Sequence, residues 1–187
     1  MNKNLIRNSQ IIEFNRIDNL TYGIKNLSRL TADLLTPYMK GKNILGVYKN
    51  VGVVNMFFAK LRGRNEVPSV ETDARGEAFF KLSLDKLSLK FKLDLFDIED
   101  VVVAHLHLGS KGTNGPVVAF LFGPITNPVS IECATLTGMI TQDDLVGPLA
   151  GQTLGTLVNE IISGNIYINV HTVQHPNGEI RGQLKYC

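Results

Sequence analysis

Phe80-Lys-Leu-Ser-Leu-Asp-Lys-Leu-Ser-Leu-Lys-Phe-Lys-Leu-Asp-Leu95 is the stretch that decides the fold. Apolar residues take every second position on both sides of Asp85-Lys86, with Phe80, Leu82 and Leu84 before it and Leu87, Leu89, Phe91, Leu93 and Leu95 after it. Period two is the spacing of side chains along one face of a strand. A polar pair between two such runs reads as a turn, so the stretch predicts a β-hairpin with one apolar face.

The same period extends outward in both directions. Val53, Asn55, Phe57, Ala59 and Leu61 line one face of an earlier strand. Val101–Leu108 and Pro116–Phe122 predict two strands joined by the Gly/Asn-rich loop 109–115, and 131–140 predicts another. Residues 153–163 fit a short helix stopped by Gly164. Strands near 166–173 and 179–186 flank Pro176-Asn177-Gly178. Many short strands separated by turns point to an all-β protein, an antiparallel sandwich or barrel with one short inserted helix, over residues 51–187.

Residues 1–50 have a different texture. Leu20, Ile24, Leu27, Leu30, Leu34, Leu35 and Met39 step by threes and fours, the helical period. One amphipathic helix is expected near 20–36, giving an N-terminal helical arm packed on the domain or on a partner. The arm holds eight Lys/Arg against three acids, a net of +5, which leaves −3 for the remainder. Its charges are scattered as on a solvated helix face. Nucleic-acid binding is not expected, because the basic residues lack aromatic interleaving. No apolar stretch reaches membrane-spanning length, and no segment reads as a signal peptide. Two cysteines, Cys133 and Cys187, are too few for a disulfide scaffold. Homo-oligomerisation through the arm or through Cys187 is the partner reading these features allow.

All four histidines fall in two motifs, Ala104-His-Leu-His-Leu-Gly109 and the segment Asn169 to Leu184. Ala104, Leu106 and Leu108 suit the core. His105 and His107 then project together from the opposite face, about 6.6 Å apart. Pairing residue 173 with 179 puts Ile168 and Val170 on the core face with Ile180 and Leu184. It also sets His171 opposite Arg181 and Asn169 opposite Gln183. His105, His107, His171 and His175 are therefore candidate ligands of one copper or zinc ion, because two histidines at i, i+2 can share a metal with a third from a neighbouring strand. The alternative is a structural layer in which the imidazoles hydrogen-bond backbone and carboxylates. Glu66, Asn169, Glu179 and Arg181 complete the expected polar cluster. Glu66 is expected to fix a loop through a hydrogen bond, and Glu179 and Arg181 to form cross-strand ion pairs. Loop 109–115 has phosphate-loop composition but lacks the Gly-Lys-Ser/Thr spacing and leads into a strand. No serine or cysteine stands in a nucleophile context, so no catalytic residue is assigned.

Phe58-Ala-Lys-Leu-Arg-Gly-Arg-Asn-Glu-Val-Pro68, with Thr72, Ala74 and Gly76, resembles the opening of the CHRD (chordin-type) domain. Ala104–Gly109, Asn114–Val118, Gly138–Thr141, Asp144-Leu145, Tyr167–Thr172 and Gly178–Leu184 follow in the family's order, covering about residues 56–185. The resemblance implies an immunoglobulin-like β-barrel with a distant likeness to copper/zinc superoxide dismutases. His105-Leu-His107 looks like the His-x-His pair that holds copper in those enzymes. Gly178-Glu-Ile-Arg181 is faintly similar to their arginine segment. A long His- and Asp-bearing loop for a zinc subsite is missing, which argues against a bimetallic dismutase. The resemblance implies a non-enzymatic binding or structural module at the cell surface or outside the cell, with a protein or surface-layer component as partner. Two other functions fit the residues, a copper- or zinc-binding domain and a self-assembling structural subunit.

Overall fold

Alternating sequence becomes antiparallel sheet throughout the part of the chain that the computed structural model describes, residues 56–186 with a two-residue strand at 12–13. The expected helix near 20–36, Val53, Asn55 and Cys187 lie outside the described residues. The elements are β1 (Ile12–Glu13), β2 (Met56–Arg62), β3 (Arg75–Leu82), β4 (Leu89–Leu108), β5 (Val117–Phe122), β6 (Val129–Ile140), α1 (Leu154–Ile162), β7 (Ile166–Thr172), β8 (Ile180–Gln183) and β9 (Lys185–Tyr186).

One strand organises the rest. Residues 87–95 and 101–108 read as separate strands in the sequence, but they are the two halves of the 20-residue β4. The first half lies between β3 and β6, with Phe91 opposite both Phe80 and Gly138. The second half lies between β5 and β7, with Leu106 opposite Ala119 and Ile168. Between them the chain bends at Asp97 and Asp100, whose φ values are 50° and 51°. Aspartate tolerates this left-handed conformation better than most residues, and strands change sheets at such irregularities. Both carboxylates are tied down. Asp97 pairs with Arg75, while Asp100 accepts from Ser130 Oγ at 3.3 Å and Gln174 Nε2 at 2.9 Å.

The first sheet runs β1-β6-β4-β3-β2 and the second β5-β4-β7-β8. A short seam closes the barrel, with Arg62 of β2 opposite Arg181 of β8 and β9 pairing back onto β2. Phe57, Ala59, Leu61, Phe80, Leu93, Leu106, Ile168 and Ile180 share one buried core. The helix was expected at 153–163 and forms there. Its Leu154, Leu157, Val158 and Ile161 join the core, and Gly164 follows with φ 76°.

Two registers differ from expectation. The hairpin's apolar stripe stops short of its turn, for Leu84 is 87% exposed and Leu87 68%. Ser83 Oγ donates to Asp85 Oδ1 at 2.5 Å, and the same oxygen accepts from Leu87 N at 3.0 Å. This Asx-type bonding makes a wider turn and throws both leucines outward. In the last hairpin Asn169, not His171, lies opposite Arg181, and Tyr167 lies opposite Gln183. The register slips by two residues because Thr172, His175 and Gly178 close two successive turns: His175 N donates to Thr172 Oγ1 at 3.1 Å and Gly178 N to His175 O at 3.0 Å. A slip of two leaves every side chain on its face, which is why the core assignment survives.

β7 is buried at all seven positions, on both faces. Antiparallel sheets commonly keep one face in water. Here loops 63–67, 109–115 and 174–178 cover the outer face of the second sheet.

Truncating Phe80 to alanine should destabilise the full chain by about 3–5 kcal/mol. Leu84→Ala should stay within about 0.5 kcal/mol. Urea denaturation of both variants checks the assignment, and equal losses would put Leu84 back in the core.

Candidate functional site

Strand alternation alone sends His105 and His107 away from the core, since Ala104 and Leu106 point inward and are buried. In β7 the inward Ile168 and Val170 likewise leave Tyr167, Asn169 and His171 on the outer face. In register, Val103 faces His171, His105 faces Asn169, and His107 faces Tyr167. The covering loops then bury these polar side chains, so the domain carries a second, polar core outside its sheet.

His105, His107 and His171 converge. One ring nitrogen from each lies within 4.8 Å of the others. Two bonds of ~2.0–2.1 Å to one ion span at most ~4.2 Å, so a small inward shift of the rings would let them share it. His107 Nδ1 lies 2.8 Å from the Gly115 carbonyl oxygen, and His171 Nδ1 lies 2.8 Å from that of Pro176. A carbonyl can only accept, so both Nδ1 atoms carry the proton and both Nε2 atoms present lone pairs. His107 Nε2 then accepts from His105 Nδ1 at 2.8 Å. His171 Nε2 is buried with no partner among the described residues. An unsatisfied buried acceptor costs on the order of 1–3 kcal/mol, and this one belongs to the triad. Backbone carbonyls that fix the ring tautomer are the usual outer support of a metal-binding histidine.

Burial and mutual proximity hold the three rings neutral. His105 is pushed down to about 3, first by loss of solvent and then by His171 and His107. Burial also lowers His107 and His171, in part against the carbonyls that favour their protonated forms. His107 stacks on Tyr167 with ring planes 3° apart and centroids at 4.7 Å. Phe120 packs edge-on against His105. The donor set of three neutral imidazoles with little water suits copper or zinc.

Arg181 is 2% exposed, and the expected ion pair with a glutamate does not form. Its guanidinium lies 3.4 Å from the centre of the Tyr167 ring and donates to Asn114 Oδ1 at 2.9 Å and Thr113 O at 2.6 Å. Glu179 is held instead by two hydroxyls, Thr72 Oγ1 and Thr172 Oγ1, each at 2.7 Å. The physical reason is the register. The two-residue slip brings Glu179 beside Thr172, while loop 109–115 folds its carbonyls over Arg181. Glu66 does fix a loop, accepting from Asn169 Nδ2 at 2.7 Å. Burial pushes its carboxyl up to about 7, against the opposing charge of Arg181 and the Val67 amide. Gly178 packs against this pair at φ 118°, where a Cβ would come within 2.2 Å of Asn169 Nδ2.

Of the four histidines, three come together, and His175 instead shapes the covering turn through its backbone. Sequence reasoning missed Tyr167, Asn114, Thr72 and Thr172, whose roles depend on loops folding over the sheet. The carbonyls of Gly115 and Pro176 carry no sequence signal at all, although each adjoins or belongs to a proline that marks a turn.

The family model of the CHRD domain matches residues 57–184. No curated protein and no solved structure matches the chain.

Without metal, the triad should make stability pH-dependent. The unfolded chain binds protons at these histidines below about pH 6.5, while the folded chain resists them down to about 3 at His105. Stability is therefore full above 6.5 and falls as the pH drops through that window. Glu66 has the opposite sign. Its contribution is present below its ordinary 4.5 and is lost as the pH rises through about 7. Urea denaturation in chelator from pH 8 to 4 should show stability level above about pH 7 and falling toward 4, because the three histidines outweigh Glu66 below 6.5. Glu66→Gln should steepen that fall between 4.5 and 7, because it removes the group that opposes it. Separately, Gly178→Ala should cost about 2 kcal/mol or more, from the positive φ and the displaced Asn169. An unchanged melting temperature would contradict that packing.

Proposed function

We propose, for a chain that belongs to the CHRD domain family, a non-enzymatic binding and structural module of a surface or extracellular layer, with one copper or zinc ion held by His105, His107 and His171. Family membership supports the module. The ion is supported by one observation above the rest, the buried His171 Nε2 that has no described partner and is aimed into a cluster whose tautomers are set from outside.

A layer that merely tied strands together would satisfy each imidazole at both nitrogens. This one leaves the His171 Nε2 acceptor without a described partner and places the Nδ1 donors of His107 and His171 on backbone carbonyls. Those carbonyls hold His107 and His171 in the ligating tautomer, and His105 completes an N₃ set by giving up its bond to His107. Bound zinc would cross-link β4 to β7 and hold the outer loops. Bound copper would add the capacity for one-electron chemistry. Neither role requires a nucleophile or a general base, and none is assigned.

Purified full-length protein is expected to take up one Zn²⁺ or Cu²⁺ per chain by titration calorimetry, and the His105→Ala/His107→Ala variant to take up none. Because burial lowers the imidazoles, half-release on acidification should come below about pH 6.5. Wild-type protein that binds neither ion, while folded by circular dichroism, would leave the histidines as a structural layer and the module without a metal.

A further inference from the structure

We infer that the cleft beside the histidine layer binds a small organic molecule carrying two or more oxyanion groups. The cleft holds about 430 Å³, within the range of small-ligand sites. Five cations line it, Lys60, Arg64, Lys111, Arg181 and Lys185, against one carboxylate, that of Glu66. The ion pairs among the described residues are Arg75–Asp97 and Lys92–Asp94, so no lining cation is neutralised by one. Glu77 faces Lys60 across the β2–β3 ladder but lies outside the lining.

Four of these cations are exposed, and they come from four separate segments: β2, the turn at 63–65, loop 109–115 and β9. Converging like charges repel one another, and a concave wall concentrates the resulting potential on whatever enters. Cations carried by four separate segments around a cleft of this size offer places for two or more anionic groups. Guanidinium and ammonium groups both suit phosphate, sulfate and carboxylate oxygens.

The walls are set before any ligand arrives. Asn65 Nδ2 donates to Arg181 O at 2.9 Å, and Asn114 Nδ2 donates to Val67 O at 2.7 Å. The second bond ties the loop carrying Lys111 to the loop carrying Arg64. Buried Arg181 holds the same loop by its bonds to Thr113 O and Asn114 Oδ1. Such preorganisation lowers the ordering cost of binding. Residues 1–50 carry net positive charge, so they supply no net complement to the cleft.

Titration calorimetry on the full-length protein at about 100 mM salt would use sucrose octasulfate and pyrophosphate as probes, with sucrose as the neutral control. Saturable 1:1 binding of at least one polyanion is expected, with none of sucrose, and the better probe tells sulfated sugar from phosphate. Arg64→Glu/Lys111→Glu should weaken it at least tenfold. Both side chains are exposed, and an unchanged melting temperature verifies the fold. Lys81→Glu/Lys86→Glu, at the β3–β4 hairpin, should stay within twofold. Absence of binding by both polyanions, or equal losses in the two double variants, would overturn the site. Neither cleft substitution touches the triad, so metal uptake by Arg64→Glu/Lys111→Glu distinguishes failure here from failure of the metal reading.

Discussion

A single strand that belongs to both sheets is the constraint on which this domain depends. β4 pairs with β3 and β6 before its bend and with β5 and β7 after it, so neither sheet can form without it. The aspartates at 97 and 100 let the backbone turn without ending the strand, and their bonds to Arg75, Ser130 and Gln174 fasten the corner from three sides. The apolar face stays continuous through the bend, from Leu89 and Phe91 to Ala104 and Leu106. The opposite face of the second half is thereby committed to whatever His105 and His107 meet.

What they meet is a buried layer of polar groups. Such a layer is stable only when its members find partners, because each unmet buried group costs free energy. The loops supply most of these partners from their backbones. Gly115 and Pro176 serve the histidines, Thr113 serves Arg181, and Gly109 serves Gln183. The loops are held by the layer as firmly as the layer is held by them. Among the described residues two acceptors stand outside this accounting, His171 Nε2 and Asn169 Oδ1, and both lie on β7.

The electrostatics of the layer are unusual in their division. Arg181 is a permanent buried charge met by neutral oxygens and an aromatic ring. The imidazoles are neutral at physiological pH because burial makes their charged forms expensive. Glu66 is raised for the same reason despite its cationic neighbour. Desolvation thus outweighs the nearby charge, and it leaves the histidines in the protonation state that ligates metals. On the far side of Arg181, where solvent enters, the exposed cations of the cleft dominate.

Much of the architecture was legible in alternation. The faces of β2, β3 and both halves of β4 followed from the period-two positions of Phe57, Phe80, Leu93 and Leu106, because a strand has only two faces and one must be dry. That His105, His107 and His171 leave the core followed from the same parity. Continuity of β4 was not legible, since Phe96–Asp100 breaks the alternation and only the paired sheets reveal that the chain does not stop there. Leu84 and Leu87 keep the period yet point to water, because side-chain bonding within the turn overrides it. The two-residue register of the last hairpin, the partners of Glu179 and Arg181, and the exclusion of His175 all depend on how loops distant in sequence fold over one sheet. Which side chains leave the core is set by their parity along each strand. What they touch is set by long-range closure, because the partners are backbone carbonyls and loop hydroxyls that no local pattern places.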